Sequence, residues 1–399
     1  MTTRLVTLAL DETPRVHGRC PGALRPMRSG DGLIVRLRPP LARLTRAQIL
    51  GVCEAALRFG AGLIELTNRA HLQLRGVAES AWAALLAHLA PLDLLDDSPT
   101  LEARRNILIA PDWLPGDDSA RIAGELQARL HELPALPSKI GFAIDAGTAP
   151  CLLDASADFR IERGAHGGLI LRAQGRPTGV PVEVHQAVDG LLALAAWFVD
   201  SGGAAAGRMA RHQAPLPAWA RGEQVPAPAR PMLDLGPHPL GVVCALPFGQ
   251  IEAARLAQAV TDSGAVALRL TPWRRVLLEG AAPGDGSASL ALDPELEAFA
   301  ASGWRIEACA GAPCCAQASV ATRPLALRLL ALAARKRLPL PADAPARVIH
   351  VSGCGKRCAY PKTAAIDIVG RNGRFDLDWQ GKSPQGLSAD EVIARLEAH

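Results

Sequence analysis

The sequence predicts an α+β protein with two ferredoxin-like half-domains, each a strand–helix–strand–strand unit followed by an α/β lobe. Two observations predict this fold. The same order of elements occurs twice, and a shift of 204 residues aligns Gly60 with Gly264 and Gly76 with Gly280 without a gap. Between the two copies, residues 212–239 contain seven prolines and few apolar clusters, which is typical of an extended connector.

In both copies, the spacing of apolar residues predicts each element in turn. The first copy has predicted strands at 32–38, 62–66 and 71–75, and a helix that is capped by Thr45 and ends at Gly60. The second copy has predicted strands at 240–246, 266–270 and 276–278, and a helix at 250–262. A single copy has too small an apolar sheet face to be stable alone, so we expect the two copies to pair into one ferredoxin-like layer.

The segment after each copy has a mixed α/β pattern. The first has predicted strands at 106–109, 140–144 and 168–171 and a helix at 188–198. The second has a predicted helix at 317–335, a strand at 347–352, a hairpin turn at Asn372-Gly373 and a helix capped by Ser388. The predicted domains are 1–95 (half-domain with an N-terminal arm), 96–211 (first lobe), 212–239 (linker), 240–298 (second half-domain) and 299–399 (second lobe).

Composition excludes several classes of protein. Apolar residues make up 49% of the 399 residues, so a large buried interior is expected and a disordered chain is excluded. The formal net charge is only +4 and no concentrated basic run occurs, which predicts no nucleic-acid partner. No stretch approaches the roughly 18 uninterrupted apolar residues of a membrane helix, and no secretory signal is evident, so we predict a cytoplasmic protein without membrane contact.

Four of the nine cysteines form two pairs in loops rich in glycine and proline. Cys309 and Cys315 enclose five residues, Cys354 and Cys358 enclose three, and 38 residues separate the pairs. Such loops let sulfurs converge and let backbone N–H groups face an anionic centre, so the spacing favours an iron–sulfur cluster. A zinc site and inert buried thiols are the alternatives, and Cys314 is a second candidate for the position of Cys315. Core packing is predicted for Cys20, Cys53, Cys151 and Cys244.

At this point the residues resemble a known family. The cysteine spacing is similar to the [4Fe–4S] signature of nitrite and sulfite reductases, and the duplicated half-domain resembles their ferredoxin-like repeat. Within that superfamily the chain resembles the precorrin-3B synthase family over about residues 20 to 362. The stretches that carry this resemblance are Cys-Pro-Gly at 20–22, Pro-Met at 26–27, Gly-Asp-Gly at 30–32, Leu-Thr-Pro-Trp-Arg at 270–274 and His-Val-Ser-Gly-Cys at 350–354.

The resemblance implies both a fold and a reaction. It implies two sulfite-reductase-like lobes related by pseudo-twofold symmetry, with a tetrapyrrole between them. The implied reaction is the oxygen-dependent hydroxylation and lactonisation of precorrin-3A in aerobic cobalamin biosynthesis, catalysed by a monooxygenase. Its implied cofactors are a [4Fe–4S] cluster on Cys309, Cys315, Cys354 and Cys358, a mononuclear non-haem iron, and a reductant such as NADH or another electron donor. His71 and His350 are candidate ligands of the iron, because imidazole suits Fe(II).

Precorrin-3A bears several carboxylates, so cationic and amide side chains are expected to converge on one surface. The two-residue period of strands places a first set of candidates on shared faces, namely Arg36, Arg38, Arg69, His71, Gln73 and Arg75. Arg105, Asn106 and Lys139 resemble further positions of the reductases' tetrapyrrole pocket, and Lys356 lies between two cluster cysteines. Solvated strand charge is the alternative interpretation of these residues.

Two other functions compete with the synthase. One is sirohaem-dependent reduction of sulfite or nitrite, and the other is a non-catalytic iron–sulfur electron carrier or tetrapyrrole-binding protein. The reductases carry Lys-x-Lys after the helix of the first lobe, whereas Lys139-Ile140-Gly141 supplies only the first lysine. The missing second cation argues against reduction of a small anion.

Overall fold

The computed structural model describes residues 20–282, 299, 304–335, 347–360 and 362–398. The chain divides into two compact units, a larger one spanning Cys20–Asp293 and a smaller one that includes Pro294–His399. The predicted N-terminal arm before Cys20 lies outside the described residues, as do residues 283–298 of the predicted second half-domain. The predicted α+β class is confirmed.

The larger unit contains two five-stranded antiparallel sheets formed by the two half-domains. The first sheet has the order β1 (Met27–Ser29), β2 (Gly32–Leu37), β5 (Leu72–Val77), β4 (Leu63–Leu66) and β13 (Gln250–Glu252). The second has the order β11 (Gly236–His238), β12 (Gly241–Ala245), β15 (Arg275–Glu279), β14 (Ala267–Leu270) and β3 (Arg43–Thr45). Strands β3 and β13 are exchanged, because each pairs with the sheet of the other half-domain.

The sequence predicts three of the helices described in the larger unit: the one capped by Thr45, the one at 188–198 and the one at 250–262. Helix α1 (Arg46–Phe59) follows Thr45, whose hydroxyl accepts the N–H of Gln48 at 3.3 Å while the Gln48 side chain accepts the N–H of Thr45. The other helices are α2 (Trp82–Leu89), α3 (Pro99–Arg104), α4 (Asp118–Ala128), α5 (Ala187–Asp200), α6 (Gly203–Ala206) and α7 (Ala253–Asp262). Helices α1 and α7 pack against each other, and one apolar cluster includes the inner faces of both sheets.

Two predictions about the half-domains are wrong. The second helix begins at Ala253 rather than at residue 250, because Gln250–Glu252 form the exchanged strand β13. The two copies also form two sheets instead of one layer. Both errors have the same cause: a three-residue strand is too short to show an alternating pattern, and its hydrogen-bond partners come from a distant part of the chain.

The first lobe is a mixed five-stranded sheet within the larger unit. Its strands are β6 (Ile107–Ile109), β7 (Phe142–Asp145), β8 (Phe159–Arg163), β9 (Leu169–Ala173) and β10 (Val180–Val182), with β6, β7 and β8 parallel. Strand β8 was not predicted, because it buries Arg160 and Glu162, and charged side chains in a sequence indicate an exposed segment. The proline-rich segment pairs with this lobe through two isolated β-bridges, one between Gly179 and Gln224 and one between Gly164 and Pro226.

The smaller unit has a four-stranded sheet. Its strands are β16 (Arg305–Ala308), β17 (Val348–Ser352), β18 (Ile366–Arg371) and β19 (Arg374–Trp379), and its described helices include α8 (Thr322–Arg335) and α9 (Ala389–Glu397). The predicted turn at Asn372-Gly373 is confirmed, with both residues at positive φ. Helix α8 begins at Thr322, not at residue 317, because Ser319 and Val320 hydrogen-bond to Gly353 and Ala312 in adjacent loops. Within the described ranges, no helix has the length and apolarity to cross a membrane.

An ion-pair network joins the exchanged strand β3 to the second sheet. Glu279 accepts hydrogen bonds from Arg43 Nε at 2.8 Å and from Arg269 Nε at 2.7 Å. Burial opposes ionisation of Glu279, but the hydrogen bonds from the two arginines outweigh burial and lower the pKa of Glu279 to about 2. The carboxylate therefore helps to hold the two half-domains together.

We expect Glu279→Gln to lower the free energy of unfolding at pH 7 by roughly 1–3 kcal/mol, because two guanidinium groups lose a charged partner. The pKa of Glu279 is depressed on folding, so its contribution is complete above pH 4.5 and is lost as the pH falls towards 2. Urea unfolding of both proteins at several pH values should therefore show a difference that shrinks in acid. Glu252→Gln, at an exposed position on β13, is the control. A difference that stayed constant with pH would contradict this role.

Candidate functional site

The face of the first sheet that points away from α1 is polar. It carries Arg36 on β2 and Gln73 on β5, which are directly opposite each other in the strand pairing. Both Nε and Nη2 of Arg36 donate to Oε1 of Gln73, at 3.1 and 2.6 Å. Arg38 and His71 flank this pair at the ends of the same strands and are 4% and 3% exposed. The structure therefore places these four predicted residues on one face.

Three arginines around this face each retain an N–H group without a hydrogen-bond partner in the described part of the chain. Arg38 donates to Asn106 Oδ1 at 3.3 Å and to the Pro21 carbonyl at 3.1 Å, but its Nη1 makes no hydrogen bond. Arg69 donates from Nη2 to the Lys139 carbonyl at 2.7 Å, and its Nη1 has no partner.

Arg105 shows the same pattern. Its Nη2 donates to Asp96 Oδ2 at 2.8 Å, while its buried Nε has no partner among the described residues. Buried donors in native proteins are nearly always satisfied, so one N–H group on each of these arginines is available to an acceptor atom of a ligand; Arg38 Nη1 also lies 3.5 Å from Glu102 Oε1. Burial, the largest cause, lowers the pKa of Arg38 and of Arg69, although both remain cations at neutral pH.

His71 lies among these cations. Burial lowers the pKa of His71 well below its usual value, and the charges of Arg38, Arg36, Arg69 and Arg105 lower it further. The imidazole is therefore neutral, and its buried Nδ1 has no hydrogen-bond partner in the described structure. We refer to Arg36, Arg38, Arg69, His71 and Arg105 together as the arginine pocket.

Two other predicted residues are already engaged by the protein. Arg75 forms a bidentate pair with Asp31, at 2.9 Å to each oxygen, and also contacts Glu65 at 3.4 Å. Asn106 Nδ2 donates to backbone carbonyls that include Ile140 at 3.0 Å. These bonds favour a supporting role for both residues. Lys139 is exposed, and its carbonyl rather than its side chain contacts Arg69.

Sequence reasoning missed three residues at this site. The first is Cys20, which was predicted to pack in the core but is half-buried and hydrogen-bonds to Arg36. Cys151, another cysteine predicted to pack in the core, is also only half-buried. Burial of Cys53 and Cys244 is confirmed. The other two missed residues are Glu102, which lies 3.5 Å from Arg38 Nη1, and Arg208, whose charge acts on Arg69. These residues are far in the sequence from the arginines that they contact. Only Cys20 could have been found from the sequence, because it belongs to the Cys-Pro-Gly stretch that carries the family resemblance.

In the smaller unit, Cys358 interacts with each of the other three predicted cluster cysteines. The described cysteines are all free thiols. Cys358 donates a hydrogen bond to Cys309, and Cys354 and Cys315 both act electrostatically on Cys358. The hydrogen bond from Cys358 lowers the pKa of Cys309 to about 5, and the same bond raises the pKa of Cys358.

The loops that carry these thiols also supply donors. Gly353 N–H points at Cys309 Sγ at 3.2 Å, and the buried Thr322 hydroxyl donates to the Cys309 carbonyl at 2.7 Å. Thiols and backbone N–H groups are the kinds of group that surround iron–sulfur clusters in proteins. Among the described residues, no group of three or more His, Cys, Asp or Glu surrounds a single metal-ion position. A [4Fe–4S] cubane does not require several side chains around a single metal-ion position, because each thiolate binds a different iron atom.

Two further candidates lie near the cluster loops. Lys356 is exposed between Cys354 and Cys358. His350 on β17 is fully buried, and its Nδ1 is 2.8 Å from Asp367 Oδ1. The described residues do not assemble a two-His, one-carboxylate set around His71 or His350.

Comparisons with known proteins agree with this architecture. Residues 25–92 match the family model for the nitrite/sulfite reductase ferredoxin-like half domain. A precorrin-3B synthase from Sinorhizobium sp is 30% identical over 395 residues, which is 90% of this chain and 82% of that protein. The structure of the Mycobacterium tuberculosis NirA protein superposes with a TM-score of 0.60 at 15% identity, covering 91% of this chain and 79% of that one, and shows a shared fold.

Proposed function

The chain belongs to the precorrin-3B synthase family, and we propose that it converts precorrin-3A to precorrin-3B by oxygen-dependent hydroxylation and lactonisation in aerobic cobalamin biosynthesis. The observation that carries this proposal is the arginine pocket, with its orphaned donors on Arg38, Arg69 and Arg105. Carboxylates are the ligands that guanidinium groups bind best, and a tetrapyrrole with acidic side chains supplies several of them at fixed spacing.

Each residue of the pocket has a proposed part in binding. The free N–H groups of Arg38, Arg69 and Arg105 bind substrate carboxylates, and Arg36, held by Gln73, adds positive charge. His71 contributes a neutral hydrogen-bonding group. Four surrounding arginines repel a metal dication, so we assign His71 to the substrate rather than to iron. Lys139 is exposed, and its backbone carbonyl accepts from Arg69, so we assign its side chain a further contact with the substrate.

The proposed cluster ligands are Cys309, Cys315, Cys354 and Cys358. When bound, the cluster and the mononuclear iron implied by the family would supply redox chemistry, with electrons from NADH or another donor. The chain's own part is to stabilise thiolate charge through Gly353 N–H and to fix the Cys309 backbone through Thr322.

A local feature of the first lobe argues against the reductase alternative. At the position where the reductases carry their second lysine, Gly141 is buried, and a Cβ atom there would lie 3.1 Å from the Asn106 carbonyl oxygen. Gly141 N–H also donates to the buried Asp158 at 3.1 Å. The backbone at this position is therefore held where a lysine side chain fits poorly.

The decisive experiment is incubation of the iron-reconstituted protein with precorrin-3A, reductant and labelled dioxygen, followed by mass spectrometry. We expect one labelled oxygen atom in the product and none under argon. Bound sirohaem with electron transfer to sulfite, and no labelled product, would support the reductase instead. A cluster-containing protein without turnover under any reductant would support the non-catalytic carrier.

A further inference from the structure

Asp367 on β18 binds two side chains at once. Its Oδ1 lies 2.8 Å from Nδ1 of His350, and its Oδ2 pairs with the guanidinium of Arg357. His350 and Asp367 are aligned in the parallel pairing of β17 and β18, and they are 0% and 7% exposed. A carboxylate accepts, so Nδ1 of His350 carries the proton. The histidine thus fixes the Asp367 carboxylate, and leaves Oδ2 for Arg357.

Arg357 lies within the loop between Cys354 and Cys358, and its backbone has a left-handed φ of 52°. This conformation is disfavoured for a residue with a side chain, so neighbouring contacts must hold it. The backbone contact from Arg357 N–H to the Cys354 carbonyl is long, at 3.4 Å. The ion pair with Asp367 is a charge-assisted contact that links this loop to the sheet.

We infer that Asp367 is a positioning residue: through Arg357 it holds the Cys354–Cys358 loop in the conformation that presents both thiols to the cluster. His350 supports this role of Asp367 by orienting its carboxylate. The inference rests on the proposed cluster. It assigns to Asp367 no contact with iron or substrate, and it predicts that Asp367 and Arg357 act as one unit.

The test uses the full chain, reconstituted anaerobically with iron and sulfide. The variants are Asp367→Asn, Arg357→Gln, the double variant, and Asp378→Asn as control, since Asp378 is exposed and directly opposite Asp367 on β19. The measurements are iron and sulfide per chain, the rate of cluster loss to a chelator, and the unfolding temperature of the cluster-free protein.

We expect each single variant to lose its cluster about tenfold faster, the factor that corresponds to one charge-assisted hydrogen bond. The double variant should be no faster than the singles, because both substitutions break the same contact. Asp378→Asn should match the wild type, and Asp367→Glu should recover part of the retention. The unfolding temperature of the cluster-free protein should change little in Arg357→Gln, whose side chain is 37% exposed.

Unchanged cluster loss in Arg357→Gln, or additive effects in the double variant, would overturn the inference. If Asp367→Asn does not fold, Arg357→Gln alone still decides, because it removes the same ion pair from the exposed side. Failure of the wild-type protein to hold any iron or sulfide would be a different result, since it would refute the proposed cluster itself.

Discussion

Replacing Cys354 by serine is expected to remove the cluster and the oxygen-transfer activity together while the protein stays folded. Cys354 is one of four thiols that interact in the smaller unit, and a serine hydroxyl is not deprotonated at neutral pH and binds iron poorly. Cys354 is only partly buried, so the exchange of sulfur for oxygen costs little packing. Iron and sulfide content, visible absorption and labelled-oxygen incorporation measure the effect.

Cys314→Ser and Cys315→Ser form a matched pair of controls for this prediction. Both cysteines are partly buried and adjacent, and Cys315, the ligand proposed from the cysteine spacing, acts electrostatically on Cys358. We therefore expect Cys315→Ser to lose the cluster and Cys314→Ser to keep it. The reverse result would exchange the two ligands. An active, cluster-free Cys354→Ser protein would show that the cluster does not deliver the electrons.

Elements that are determined locally could be predicted from the sequence. Thr45 and Ser388 cap their helices as predicted, because a cap depends on residues within one turn. The hairpin at Asn372-Gly373 follows from the positive φ that this turn requires. Strands β3, β8 and β13 could not be predicted, since their partners or their buried charges are set by distant segments.

The candidate site divides in the same way. The strand period placed Arg36 with Arg38 and His71 with Gln73, because alternation within a strand is a local property. That Arg36 lies opposite Gln73 depends on the pairing of β2 with β5, which the period does not give. It could not show that Arg75 is already paired with Asp31, 44 residues away. Neither could it show that Asp367 links His350 to Arg357. Ion pairs between distant segments decide which cations remain available to a ligand, and only the folded chain establishes them.

Arg69→Ala is expected to weaken precorrin-3A binding by about 1.5–3 kcal/mol, which corresponds to roughly a ten- to hundredfold rise in Kd. Arg69 is 8% exposed, and its Nη1 is an orphaned donor, so a substrate carboxylate there gains a charge-assisted bond in a largely desolvated site. Titration of precorrin-3A against the cluster-containing protein, followed by absorption, measures the change.

Two comparison variants separate binding from folding in this experiment. Arg69→Lys keeps the charge but not the planar fork, so we expect an intermediate affinity. Arg121→Ala removes an exposed arginine on α4 and should leave the affinity unchanged. Arg69 also donates to the Lys139 carbonyl at 2.7 Å, so the unfolding temperature must be measured alongside. An unchanged Kd in a folded Arg69→Ala protein would limit Arg69 to supporting that carbonyl, and the substrate carboxylate would then have to be sought at Arg38 or Arg105, which carry the other orphaned donors.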